Sequence, residues 1–176
     1  MGRFNNQSIG PEDRLPQDRQ LTREGAVTIT LWRPRIPQNT GSIARLCAAT
    51  GSRLDLIEPF FEIDDRKLRR AGLDYWHLLD VRVFSSFERW LEKNPQITPW
   101  LIEVKGPKYY STAQFQANDF LFFGDEQEGL APELFQRWPN RHLALPQQGV
   151  RSLNLAMCAG IVTYEALRQL NWLGLR

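Results

Sequence analysis

Asn39 and Arg45 lie in the stretch "RPRIPQNTGSIARLC", where a loop stiffened by two prolines runs into a helix. Asn39 reads as the helix N-cap. Gly41 and Arg45 stand four apart, so the glycine clears room on the face from which the guanidinium projects. A helix start carrying an arginine suits a phosphate group. The same residues fit a plain capped helix with a solvated charge, and this segment alone leaves both readings open. In "LFFGDEQEGL" a buried strand ends at Gly124. A glycine there lets backbone approach a ligand, and a nearby carboxylate can bind a ribose hydroxyl or offset a cation; the composition is equally that of a surface turn.

The stretch "LALPQQGVRSLNLAMCAGIVTYEAL", Leu143 to Leu167, joins a short apolar run to a helix with no charged side chain between Ser152 and Tyr164. Ser152 and Asn154 are natural caps, and the first-turn amides behind Arg151 can serve a bound polar group. Tyr164 falls on the face of Met157, Gly160 and Ile161, opposite a stripe of Leu155, Cys158, Ala159, Val162 and Ala166. Two apolar faces need two partners, so a sheet is expected on one and a second copy of the chain on the other. A fourth stretch, "DRKLRRAGLDYWH", groups Arg66, Lys67, Arg69 and Arg70 ahead of Tyr75 and Trp76. Basic residues interleaved with aromatics suit single-stranded RNA, and they also suit an ordinary basic helical face.

These stretches need a scaffold, and the pattern around them supplies one. "AVTITLW", "LDLIE", "VRVF", "PWLIEV", "FLFFG" and "HLALP" read as six short strands. Helical segments alternate with them: one from Asn39 to a stop at Gly51, "DDRKLRRAG", "SSFERWLEKN", "PELFQRW" beginning at its proline, and a last helix from about Ser152 to Trp172. The expected fold class is α/β, a mostly parallel six-stranded sheet covered by helices on both faces. Residues 1–25 are polar, with four basic and four acidic side chains, and are expected to form a flexible N-terminal arm ahead of a single domain, 26–176.

Composition excludes several classes. The net charge of +2 and pI near 8.7 create no global field, so nucleic-acid contact must come from a local basic patch. Cys47 and Cys158 lack metal or disulfide spacing and read as reduced core thiols of a cytoplasmic protein. No run approaches the ~18 apolar residues of a membrane span. The loop after the first strand holds one glycine, Gly41, against a dinucleotide fingerprint, and no Gly-Lys-Ser/Thr occurs. His77 and His142 have no partners at catalytic or metal spacing, so no metal is expected.

Taken together, "IPQNTGSIARLCAATG", "RRAGLDYW", "LFFGDEQEGL" and "LPQQGVRSLNLAMCAGIVTYEA" resemble, in order, the motifs of the SPOUT superfamily of RNA methyltransferases. Within it they resemble the TrmL-like tRNA (cytidine/uridine) 2′-O-methyltransferases of the wobble nucleotide. The resemblance implies a C-terminal trefoil knot, a homodimer, a tRNA substrate and S-adenosylmethionine as methyl donor, leaving as S-adenosylhomocysteine. It further implies that Ile102, Gly124, Leu145, Ser152 and Asn154 line the donor pocket. Asn39 and Arg45 would then face the ribose with Ser152 and Tyr164 nearby, and Arg66, Lys67, Arg69, Arg70 and Arg151 would meet RNA. The chain departs from the pattern in a shorter "QQG" turn, in Asp125 after Gly124, and in the extra arm.

Methyl transfer to a ribose 2′ oxygen requires an in-line approach and removal of one proton. A guanidinium gives up its proton only above pH ~12, so Arg45 is expected to position phosphate and stabilise developing charge and not to act as a free base. Two other classes compete: a non-catalytic RNA-binding protein on the same fold, or a flavodoxin-like phosphate-binding module. A 2′-O-methyltransferase of another tRNA or rRNA position is a third variant.

Overall fold

The computed structural model describes residues 22–62, 76 and 79–175. The basic stretch with Arg66, Lys67, Arg69, Arg70, Tyr75 and His77, and residues 1–21 of the expected arm, lie outside the described residues. Seven parallel strands form one sheet: β1 (Thr28–Trp32), β2 (Arg53–Ile57), β3 (Val81–Phe84), β4 (Trp100–Glu103), β5 (Lys108–Tyr109), β6 (Phe120–Phe123) and β7 (His142–Ala144). Their order is β3-β2-β1-β6-β4-β7-β5. Six of these match the expected strands. The seventh, β5, corrects the six-stranded expectation: it is two exposed residues at the sheet edge, too short to carry a period and with no apolar side to signal it.

Helices cover both faces. Ile29, Leu31, Leu54, Leu56, Leu121, Phe123 and Leu143 point to one core, shared with α1 (Pro37–Thr50) and α4 (Leu155–Gln169). Ile57, Leu101 and Phe122 point to the other, closed by Trp90 of α2 (Phe87–Lys93) and Leu134 of α3 (Pro132–Arg137). Alternation along each strand divides the two cores, which is why a fully parallel sheet is apolar on both sides. One charge is sealed in the second core. Asp55 is fully buried, accepts two 2.7 Å hydrogen bonds from Arg82 and one of 2.8 Å from the Trp90 indole. Burial raises its pKa, against the opposing pull of Arg82 and Trp90.

Helix ends match the expected caps except at the start of α1. Pro37 occupies the first turn of α1, Ile36 is the N-cap without a side-chain hydrogen bond, and Asn39 lies inside the helix; a proline at the first position starts the helix earlier than its asparagine. Gly51 ends α1 in the left-handed conformation, φ 68°. Ser86 caps α2, accepting from Arg89 N. At α4 the cap is Asn154, which accepts from Ala156 N at 2.9 Å and Met157 N at 3.3 Å, and Ser152 lies outside the helix. The helix stops at Gln169, before a short 3-10 turn over Asn171–Gly174. Its inward stripe, including Ala159, Val162 and Ala166, is buried, whereas Met157, Ile161 and Tyr164 are exposed within the single chain. Residues read as the end of the arm already touch this body: Arg23 Nη1 donates to Leu173 O, and Asn118 N donates to Gly25 O.

Candidate functional site

A cavity of about 540 Å³ opens at the carboxyl ends of β1, β6, β4 and β7, where open α/β sheets bind ligands. Ile102, Gly124, Leu145, Ser152 and Asn154, the five expected donor-site residues, all line it, together with Asn39 and Arg151. Arg45 and Tyr164 do not. Arg45 is exposed on α1, and Tyr164 is exposed on α4 with its ring 6.3 Å from that of Trp172. The two helices that carry them pack on one another, and both side chains lie outside the cavity.

Asn39 is the hinge of the site. Its Oδ1 accepts from Asn154 Nδ2 at 2.9 Å, and its Nδ2 donates to Glu126 Oε1 at 3.1 Å. Both ends of the amide are thereby committed, which sets its orientation. Glu126 also accepts from Arg35 N at 2.8 Å and Ile36 N at 3.2 Å. One carboxylate therefore satisfies two backbone donors before α1 as well as the Asn39 side chain, binding the β1–α1 loop to the loop after β6. In the sequence Glu126 is one of three carboxylates in "GDEQEG", with nothing to single it out. Its available signal was a carboxylate three residues beyond the end of a buried strand, in a chain whose proline-rich loop has amides that need partners.

The loop after β6 is tightly built. Asp125 N donates to Gly129 O and Gly129 N to Asp125 O, while Asp125 Oδ1 accepts from Gln127 N at 2.7 Å and Glu128 N at 3.1 Å. Asp125 Oδ2 pairs with Arg35, whose Nη2 lies 3.3 Å from Glu128. Burial raises the Asp125 pKa, but the Gln127, Arg35 and Glu128 hydrogen bonds together outweigh it, and the carboxyl is held below its ordinary range. Gly124 serves this turn as well as lining the cavity: a Cβ there would stand 2.3 Å from Gly129 C and 2.6 Å from Leu130 N. Gly129, at φ +72°, leaves room for Glu103, whose Oε1 accepts from Leu130 N at 2.7 Å.

Across the cavity mouth Arg151 Nη2 donates to Gln127 O at 3.2 Å, so this arginine clasps two loops. Cys158 borders the cavity, and burial pushes its thiol up, which keeps it neutral and poorly nucleophilic. His142 is half-buried, its ring edge-on to Phe135 at 4.8 Å. Among the described residues no group of His, Cys, Asp and Glu could hold a metal ion, and no helix is long and apolar enough to cross a membrane.

A parallel sheet with a mixed apolar and polar cavity at its carboxyl edge, its loops tied by an asparagine and a glutamate, defines the α/β class in which small organic ligands bind at that edge. Residues 26–164 match the SpoU rRNA Methylase family, and the chain belongs to that family. It is 43% identical over 149 residues to the tRNA (cytidine(34)-2'-O)-methyltransferase of Aeromonas hydrophila, spanning 83% of this chain and 96% of the relative. A solved structure concerning the 2-OH methylation of C/U34 on tRNA superposes with TM-score 0.77 at 41% identity, covering 83% of this chain and 97% of that one. The AdoMet-bound rRNA methyltransferase of Sinorhizobium meliloti superposes with TM-score 0.75 at 26% identity, covering 90% of this chain and 62% of that one.

Proposed function

We propose that this chain is an enzyme that methylates the ribose 2′ oxygen of the wobble nucleotide of tRNA, cytidine or modified uridine, using S-adenosylmethionine. The observation that carries the reading is the cavity in which all five expected donor-site residues converge beside the doubly held Asn39. The relatives whose names specify cytidine 34 support the substrate.

The cavity fits the donor in size and chemistry. Its volume lies within the range for small organic ligands, and Ile102, Phe123, Leu145 and Leu153 offer apolar walls beside the polar Ser152 and Gln147. When bound, S-adenosylmethionine supplies an electrophilic methyl group on sulfur. Ile102, Leu145 and Ser152 would hold it, Asn154 would fix the adjacent helix start, and Asn39 would orient the ribose. Arg45 would grip the neighbouring phosphate and stabilise negative charge on the 2′ oxygen, the proton leaving to solvent or to a neighbouring base.

The chain works as a homodimer in this reading, because Met157, Ile161 and Tyr164 form an exposed apolar face on α4 and because Arg45 and Tyr164 lie outside the cavity of their own chain. A C-terminal trefoil knot is supported by β7 lying between β4 and β5. The short connection of that pair passes so close to β7 that a Cβ on Gly106 would sit 2.6 Å from Leu143 C. A tRNA substrate implies a cytoplasmic site of action.

The test is to incubate the purified protein with S-adenosylmethionine and unmodified or cellular tRNA, then map ribose methylation by mass spectrometry of nuclease fragments. Methylation at nucleotide 34 is expected. Donor binding by calorimetry without methylation of any RNA would leave a non-catalytic RNA-binding protein on the same fold.

A further inference from the structure

Phe60 lies just beyond β2 with half of its surface exposed. It is not loosely held. Its backbone N donates to Pro34 O at 3.0 Å, and Arg33 N donates to Ile57 O at 2.7 Å, so the segments leaving β1 and β2 are bonded to each other. Both turn sharply where they leave the sheet, with Arg33 at φ 55° and Glu58 at φ 50°. The Arg35 guanidinium carbon lies 4.1 Å from the Phe60 ring centroid and that of Arg33 lies 5.1 Å from it. Arg35 is in turn pinned by Asp125 and Glu128.

The charges of these two arginines are spent differently. Arg35 is largely neutralised by its two carboxylates and packs on the ring. Among the described residues Arg33 pairs with Glu58, Nε to Oε2 at 3.6 Å, beyond hydrogen-bond distance and between two partly exposed side chains, so the pair leaves most of its charge available. The result is a rigid aromatic surface with an available cation beside it. A stable fold gains little from an exposed phenylalanine, whereas a nucleobase gains from a preorganised ring and its phosphate from a guanidinium. The position supports this occupant: Arg35 N is bound by the same Glu126 that holds Asn39, and Ile36, next to Arg35, lines the cavity, so ring and amide are tied to one loop.

We propose that Phe60, with Arg33, is a stacking step for an unpaired nucleobase next to the methylated nucleotide, Arg33 contacting its phosphate. This rests on the RNA methyltransferase reading above and names a substrate contact that reading leaves unassigned.

Phe60→Leu still covers Arg35 but cannot stack, Phe60→Trp can do both, and Arg33→Gln removes the cation. Each is compared with the unaltered protein for equilibrium binding of an anticodon stem-loop RNA, for KM and kcat of its methylation, and for S-adenosylmethionine affinity. A 2-aminopurine placed beside nucleotide 34 reports stacking by its quenching. Phe60→Leu is expected to weaken RNA binding and raise KM on the order of ten-fold, with kcat at saturating RNA and donor affinity holding and the quenching lost. Phe60→Trp is expected to restore all three. Arg33→Gln should reduce the salt slope of RNA binding by about 1. Unchanged RNA affinity in Phe60→Leu overturns the proposal, as does an equal fall in donor affinity, which would make the ring a cover for the Arg35–Asp125 pair. If the unaltered protein methylates no RNA yet binds it through Phe60, the catalytic reading fails and the stacking step stands. If it methylates RNA with the same KM as Phe60→Leu, the stacking step alone fails.

Discussion

Asn154 Nδ2 donates to Asn39 Oδ1 at 2.9 Å, joining the first helix to the start of the last across 115 residues of chain. Because Asn154 Oδ1 also caps α4, one side chain carries both a local and a long-range duty. Replacing it with Ser separates them. Asn154→Ser should keep most of the cap, whereas Asn154→Ala should lose about 1 kcal/mol of stability. Both should lower methyl transfer by at least ten-fold, since neither reaches Asn39. Urea denaturation beside steady-state rates checks this; full activity in the Ser variant would show that the Asn39 contact is dispensable.

Gly124→Ala should be far more damaging than its one added methyl suggests. The Cβ would stand 2.3 Å from Gly129 C, and backbone cannot swing aside as a flexible side chain does. We expect a loss of about 3 kcal/mol, the upper range for overpacking, accompanied by weaker donor binding as the turn shifts. Denaturant unfolding and calorimetry measure the two effects.

Asp125 has a folded pKa below its unfolded one, so the stability it contributes is present above the unfolded value, near pH ~3.9, and is lost as pH falls through the folded value. The stability difference between the unaltered chain and Asp125→Asn should therefore be level from neutral pH down to about 5 and then shrink as acid is added. A urea series at stepped pH reads it. A difference that grows toward acid would mean the carboxyl is not held low.

Arg45→Ala should leave donor affinity nearly intact, because the side chain lies outside the cavity, while lowering methylation by two or more orders of magnitude through loss of phosphate positioning and charge stabilisation. Single-turnover rates with calorimetry of S-adenosylmethionine decide it. Turnover equal to that of the unaltered enzyme removes Arg45 from the mechanism.

Ile161 stands on the exposed face of α4 next to Gly160, around whose missing side chain there is open space. A helix can pack on its own copy across such a small residue. Ile161→Asp should disperse a homodimer and abolish methyl transfer together, as read by sedimentation at micromolar concentration. An active monomer would mean that each chain's own surface completes the site.

Much of this protein was legible in its sequence because the determining forces are local. Period-two apolar runs marked six strands, Gly51 marked the end of α1 and Pro132 the start of α3. Four ordered motifs carried the family and the cavity lining. The exceptions have physical causes. Strand β5 exists only because β7 offers its edge, so two exposed residues pair without a pattern of their own. Asn39 has the composition of a cap, yet Pro37 begins the helix two residues earlier and turns the amide toward Glu126 and Asn154. Gly124 borders the cavity and carries a second duty that its sequence does not show, the close approach of Gly129 and Leu130. Local propensity selects the elements; which carboxylate meets which loop is decided by the order of strands in the sheet, which brings residues about 90 to 115 apart within hydrogen-bond reach.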